Sequence, residues 1–70
     1  MKVTMRTPAS SVIRQHRLAH GLTQDELAAR VGVVRSYITN VELGEFMPSV
    51  DVAKRLGKAL SFPWAEIYGD

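Results

Sequence analysis

The sequence has no cysteine, which excludes disulfide bonds and thiolate metal sites. This absence suits a reducing cytosol, where disulfides are rare. No apolar run approaches the roughly 20 residues that a membrane span needs. The first residues, MKVTMRTPASS, also lack the apolar block of a secretory signal peptide. We therefore expect a cytoplasmic protein with no membrane partner.

The sequence also lacks a large excess of positive or negative charge. Nine lysines and arginines against seven aspartates and glutamates give a formal net charge of only +2. This mildly basic balance permits nucleic-acid binding but does not point to it. The groupings that catalysis requires are also missing, because no carboxylate pair, Cys–His pair or phosphate-binding loop is apparent. We therefore do not expect an enzyme.

The two histidines do not predict a metal site. His16 and His20 have the four-residue spacing that places two ligands on one helix face, but no third ligand accompanies them. We expect His16 to pack at the edge of the core and His20 to lie near a helix C-terminus, where a cation is favourable. No cofactor is expected.

The length and composition predict one small domain, since the chain has 70 residues and 46% of them are hydrophobic. Residues 1–8 have no helical period and fit a short strand or a loose arm that ends at Pro8. Residues 9–70 contain five segments of helical character with short connections. The predicted fold class is therefore all-α.

The first predicted helix begins at Ala9 or Ser10, with Ser10 or Ser11 as its N-cap, and ends at Gly21. Its apolar spacing predicts one buried stripe, and the members of this stripe are Val12, Ile13, His16 and Ala19.

The second predicted helix has the clearest boundaries. Thr23 is a favourable N-cap, and Glu26 three residues later completes a capping box. Gly32 ends the helix, because glycine tolerates the positive φ of that position. Three further helices follow, and their predicted positions are Val34 or Arg35 to Leu43, the segment after Ser49, and PWAEIY from Pro63.

The second and third helices, joined through Gly32, have the form of a helix-turn-helix. Ala28 is small enough for the two helices to cross, and Val33 is apolar and able to fill the turn. Ile38 and Val41 form the inward face of the third helix. In this motif the second helix enters the DNA major groove, so the pattern predicts DNA binding.

Four polar residues lie outward on the third helix at positions i, i+1, i+4 and i+5, and they are Arg35, Ser36, Thr39 and Asn40. Arginine pairs bidentately with guanine and asparagine with adenine, while serine and threonine bond to several base groups. We therefore expect these four side chains to contact base edges.

Val34 is unusual because it occupies the N-cap position of the third helix without a side-chain oxygen. One interpretation is a tolerated loss of about 1 kcal/mol of capping free energy. The other is that the Val34 methyl groups contact a thymine methyl in the major groove.

Two stretches, IRQHRLAHGLTQDELAARVGVVRSYITNVELG and PSVDVAKRLGKALSFPWAEI, resemble the phage repressor and Cro family, the XRE family, over about residues 11–67. The most specific pieces are GLTQDELA, VG and the IxxVExG pattern. The resemblance implies a compact five-helix bundle of the lambda-repressor-like type, with the recognition helix at about residues 34–43. It also implies a small stand-alone transcriptional regulator, either a minimal repressor or a small activator, that binds double-stranded operator DNA as a homodimer.

The resemblance also implies roles for individual residues. Gln24 is expected to contact a DNA phosphate, and we expect the same of Thr23 and Tyr37. Arg17 and Glu42 match an arginine and a glutamate that form a structural ion pair in the family. The residues implied to face the groove are Val34, Arg35, Ser36, Thr39 and Asn40.

A few positions depart from the family pattern. The loop after Gly44 often carries a cation in the family, whereas Glu45 would repel a phosphate. Ser61 stands where the family usually has a helix-ending glycine, and Pro63 where it often has a capping serine. The alternative function is a protein-interaction module, such as the antitoxin of a toxin–antitoxin pair, because a fold alone does not fix a function.

Overall fold

Residues 8–69 are the part of the chain that the structure, a computed structural model, describes. The elements in chain order are α1 (Pro8–Ala19), α2 (Gln24–Val31), α3 (Arg35–Glu42), α4 (Val50–Leu60) and a 3-10 helix (Trp64–Tyr68). The all-α class is confirmed for these residues. The expectation of a fifth α-helix is wrong, because only five residues lie between Pro63 and Gly69 and they close as a tighter 3-10 helix.

The core lies where α2 packs on α3 and where α1 and α4 both pack against the 3-10 helix. Every element contributes buried apolar side chains to this single cluster. Its members are Ala9, Ile13, Leu22, Leu27, Ala28, Val31, Ile38, Val41, Val52, Ala53, Leu56, Leu60, Phe62 and Ile67. Among residues 8–69, no helix is long and apolar enough to cross a membrane.

α1 differs from the prediction in its start and in its buried face. It begins at Pro8, one or two residues earlier than predicted, and residues 1–7 of the predicted arm or strand lie outside the described part of the chain. Ser10, a predicted N-cap, lies inside α1 and is only 2% exposed. Ile13 is fully buried as predicted, but Arg17 takes the inward position four residues later and Ala19 is exposed.

The start and end of α2 follow the predicted capping chemistry. The Thr23 side chain accepts from the Glu26 backbone N–H, and the Glu26 side chain accepts from the Thr23 backbone N–H, which completes the capping box. The hydrogen bond from the Thr23 backbone lowers the pKa of Glu26 below its usual value. Gly32 adopts the left-handed conformation (φ 77°), and its N–H donates to the Ala28 carbonyl. The turn therefore directs the chain into α3.

The end of α4 contains two close fits. Ser61 adopts the left-handed conformation (φ 58°) that the family usually assigns to glycine, and its N–H donates to the Gly57 carbonyl. A Cβ atom on Gly57 would lie 2.7 Å from the Phe62 carbonyl oxygen and 2.9 Å from the Trp64 Cβ. The backbone leading to the 3-10 helix therefore passes directly against α4 at Gly57.

Candidate nucleic-acid interface

α3 divides into an apolar inner face and a polar outer face. Ile38 and Val41 on the inner face are fully buried against the core. Among the outer residues predicted to contact bases, Arg35 and Ser36 are exposed, and Thr39 and Asn40 are partly exposed. The helix is thus anchored through its apolar face, and its polar face is accessible to a ligand.

Val34 is the N-cap of α3, with φ −78° and ψ 155°, and it makes no side-chain capping hydrogen bond. The side chain is 70% exposed, in contrast to the neighbouring Val33, which packs against the core. The Val34 carbonyl accepts from the Tyr37 backbone N–H at 3.0 Å, which closes the first turn. The two valines therefore have different roles, since Val33 is partly buried against the core and Val34 is largely exposed.

Arg17 of α1 and Glu42 of α3 form the ion pair that the resemblance implied. Arg17 Nε donates to Glu42 Oε2 at 2.6 Å and Nη2 donates to Oε1 at 3.0 Å, so the pair is bidentate. Arg17 Nη1 donates to the Leu22 carbonyl at 2.8 Å. Only 11% of the Arg17 side chain and 5% of the Glu42 side chain are exposed. The hydrogen bond with Glu42 raises the pKa of Arg17.

Gln24, the first residue of α2, connects this ion pair to the middle of α3. Its Nε2 donates to Glu42 Oε1 at 3.1 Å, and its Oε1 accepts from the Thr39 hydroxyl at 2.8 Å. Gln24 is partly exposed and lines a groove of ≈ 220 Å³. One amide N–H of Gln24 is left over after these bonds, because a carboxamide has two N–H donors.

The two other predicted phosphate contacts are Thr23, the N-cap of α2, and Tyr37 in the first turn of α3. Thr23 is exposed, and its side chain accepts the capping bond from Glu26. Tyr37 is partly exposed, and its hydroxyl accepts from the Ser49 backbone N–H at 3.2 Å. Each hydroxyl acts as an acceptor in these bonds, so each retains a proton to donate.

Arg35 has an acidic neighbour at the start of α2. Its Nη1 lies 3.9 Å from Asp25 Oδ2, and the two side chains are 62% and 70% exposed. Exposed pairs at this distance contribute little to stability. The guanidinium of Arg35 is therefore able to leave Asp25 for a stronger partner.

The two histidines pack against the C-terminal segment. His16 stacks on the Phe62 ring with centroids 4.1 Å apart, and its Nε2 lies 3.6 Å from Glu66 Oε1. His20 Nε2 is 2.8 Å from the Leu60 carbonyl oxygen. Within residues 8–69, no group of three or more histidines, cysteines, aspartates or glutamates is arranged to hold a metal ion.

Residues 13–67, which include both motif helices, the turn and the ion pair, match the sequence model of a family described as Helix-turn-helix (HTH_3). The chain belongs to this helix-turn-helix family. It is a family of DNA-binding transcriptional regulators of the XRE (Cro/C1) type and is not a family of enzymes.

Relatives of this helix-turn-helix protein occur in archaea and bacteria. It is 50% identical over 50 residues to an uncharacterized HTH-type transcriptional regulator of Methanothermobacter thermautotrophicus. This alignment covers 71% of this chain and 72% of that protein. It is 38% identical over 58 residues to the uncharacterized HTH-type transcriptional regulator YqaF of Bacillus subtilis, with coverage of 83% and 76%.

Solved structures confirm the lambda-repressor-like fold. The restriction-modification controller protein C.AhdI of Aeromonas hydrophila superposes with a TM-score of 0.80 and 32% identity, covering 89% of this chain and 94% of that one. The clp gene regulator ClgR of Corynebacterium glutamicum superposes with a TM-score of 0.81 at 24% identity, covering 96% of this chain and 71% of that one.

Sequence reasoning missed the hydrogen bonds that Gln24 makes inside this helix-turn-helix. The sequence predicts a DNA contact for Gln24 and for Thr39, and it predicts no bond between the two. The two residues are 15 positions apart on different helices, so no local spacing rule relates them. The family pairing of Arg17 with Glu42 was the one available clue that polar side chains meet between α1, α2 and α3.

Proposed function

We propose that this helix-turn-helix protein binds a specific double-stranded DNA sequence with α3 in the major groove. The observation that carries this proposal is the outer face of α3, where Arg35 and Ser36 are exposed and Asn40 is partly exposed beside them. These side chains are suited to guanine, to several base groups and to adenine, respectively. Thr39 differs from them, because its hydroxyl donates to Gln24.

Phosphate contacts are proposed for groups at the start of α2 and on α3. The second amide N–H of Gln24 and the hydroxyl protons of Thr23 and Tyr37 are available to phosphate oxygens. None of these groups is charged, and Glu45 lies in the exposed loop after α3. Counterion release depends on cations that neutralise phosphates, so we expect affinity to fall with salt along a modest slope.

We propose that the protein acts as a homodimer on an operator of two half-sites, because one α3 reads only a few base pairs. Dimeric helix-turn-helix proteins bind half-sites about one helical turn apart. We propose the C-terminal half as the dimer interface, where Tyr68 is 37% exposed and Phe46 is 38% exposed. Repression is the proposed mode of regulation, since a bound dimer excludes other proteins from the same DNA.

Selection of bound sites from random DNA tests the proposed function. We expect enrichment of a two-fold symmetric sequence whose half-site centres are about 10 base pairs apart. Sedimentation with and without this DNA tests the dimer, and a monomeric mass at high concentration in both would contradict it. If no sequence is enriched, the regulator proposal fails and co-purification with a protein partner becomes the expected behaviour.

Arg35→Ala is expected to weaken operator binding by about 1–3 kcal/mol and to relax the preference at one base pair of each half-site. The loss arises because the proposed bidentate pair with guanine is removed. Titrations with operators changed at single base pairs measure both effects. Arg30→Ala, which removes the same charge from the exposed end of α2, is the matched control and should leave the base preference unchanged.

Val34→Ser is expected to increase the free energy of unfolding by about 1 kcal/mol, because it supplies the missing capping oxygen of α3. Thermal melts followed by circular dichroism measure this gain. Val34→Ala adds no oxygen and serves as the control, so it should not raise the melting temperature. If Val34 contacts a thymine methyl, both variants weaken the preference for thymine; if the missing cap is only tolerated, neither does.

A further inference from the structure

The orientation of the Gln24 carboxamide is determined by its two partners. Glu42 is a carboxylate that already accepts from Arg17, so it presents only acceptor oxygens to Gln24. The amide nitrogen of Gln24 must therefore face Glu42, at 3.1 Å, and the amide oxygen must face the Thr39 hydroxyl, at 2.8 Å. If the two ends of the amide were exchanged, the amide oxygen would face the Glu42 carboxylate and the two acceptors would repel each other.

These two bonds join Gln24, at the start of α2, to Thr39 and Glu42 on successive turns of α3. The chain of bonds runs from the Leu22 carbonyl through Arg17, Glu42 and Gln24 to Thr39. The ion pair is nearly buried at one end of this chain, whereas Thr39 is partly exposed on the recognition helix at the other. The chain therefore connects a rigid buried pair to the polar face of α3.

We propose that Gln24 is a positioning residue that sets the docking angle of α3, and that Thr39 acts on DNA binding through Gln24 and not as a base reader. This inference rests on the proposed function, because it presumes that α3 reads DNA. α3 has only eight residues, so its direction depends on contacts made by few side chains. Base-reading side chains need a rigid support, and a small tilt of α3 displaces all of them together.

The test uses the operator obtained by selection, together with operators changed at each base pair of the half-site. Thr39→Val keeps the shape of the side chain and removes the hydroxyl. We expect it to lower affinity for the parent operator about fivefold, which corresponds to the free energy of one hydrogen bond. The same factor is expected for every changed operator. Thr39→Ser keeps the hydroxyl and should bind like the wild type. All titrations are run well below the melting temperatures of the variants.

Gln24→Met provides an independent variant, because it preserves length and removes both hydrogen bonds. It also removes the proposed phosphate contact and should lower affinity more than Thr39→Val does. In the Gln24→Met background, Thr39→Val should cause no further loss, since its partner is already gone. Gln15→Met, at an exposed position of α1, is the matched control and should bind with unchanged affinity.

Three outcomes would overturn the positioning proposal while leaving the proposed function intact. They are a loss of preference at one base pair in Thr39→Val, unchanged affinity in Thr39→Val, and independent losses that multiply in the double variant. If the wild type itself selects no DNA sequence, the proposed function fails and the positioning proposal fails with it.

Discussion

Glu42→Ala is expected to lower the free energy of unfolding by about 3–5 kcal/mol, because it leaves the Arg17 guanidinium buried without its partner. Arg17 would retain only the Leu22 carbonyl, and Gln24 would lose the acceptor of its amide. A chain of this length is stable by only about 4–10 kcal/mol in total. The variant should therefore unfold at a clearly lower temperature and urea concentration than the wild type, as measured by thermal and urea melts followed by circular dichroism.

Two further variants define the cause of this loss. Glu45→Ala removes an exposed glutamate three residues later and should change stability by less than about 0.5 kcal/mol. The double variant Arg17→Met, Glu42→Met leaves no buried charge and should recover most of the stability lost in Glu42→Ala. An unchanged melting temperature in Glu42→Ala would contradict the structural role of the pair. Where Glu42→Ala remains folded, its preference among operator bases should match that of the wild type.

Gly57→Ala is expected to destabilise the protein by about 1–3 kcal/mol through overpacking. This is opposite to the usual result, because alanine in a helix interior is normally favoured over glycine by about 1 kcal/mol. The new Cβ would lie 2.7 Å from the Phe62 carbonyl oxygen and 3.1 Å from the Trp64 Cα. These are backbone atoms, so relief requires moving the 3-10 helix away from α4. Melts in urea measure the difference from the wild type.

Lys58→Ala is the control for Gly57→Ala, because it places alanine at the next position of α4 on an exposed side chain. It should leave stability nearly unchanged, since lysine and alanine both favour helices. An increase in stability for Gly57→Ala would mean that the backbone after α4 moves aside without a loss of folding free energy. The close approach at Gly57 would then have no energetic importance.

The parts of this fold that depend on local chemistry were predictable from the sequence. The capping box of Thr23 and Glu26, the cap at Ser49 and the left-handed Gly32 are set by residues within a few positions of one another. The all-α class followed from these signals and from the spacing of apolar residues. The pairing of Arg17 with Glu42 followed from the family resemblance and not from any local rule.

The features that depend on tertiary packing were not predictable. Apolar periodicity did not predict the inward position of Arg17 in α1, because it ranks a histidine or an alanine above an arginine as a core residue. Only the family pairing with Glu42 indicated it. The close approach at Gly57 depends on the path of a segment that folds back onto α4. The bond between Gln24 and Thr39 depends on how α2 and α3 cross. The partners of Arg17 and Gln24 are distant in sequence, whereas the neighbours of Gly57 are close in sequence but are brought against it by a reversal of the chain.

The packing at the end of α4 also supplies the molecule with an optical reporter. Trp64 is the only tryptophan of the chain, and it lies partly exposed at the start of the 3-10 helix. Its ring lies beneath the Lys54 ammonium, 5.4 Å from the centroid, and meets the Tyr68 ring edge-on at 6.0 Å. Tryptophan fluorescence therefore originates at this corner alone, and a shift of its emission maximum would report when the C-terminal segment separates from α4 during unfolding.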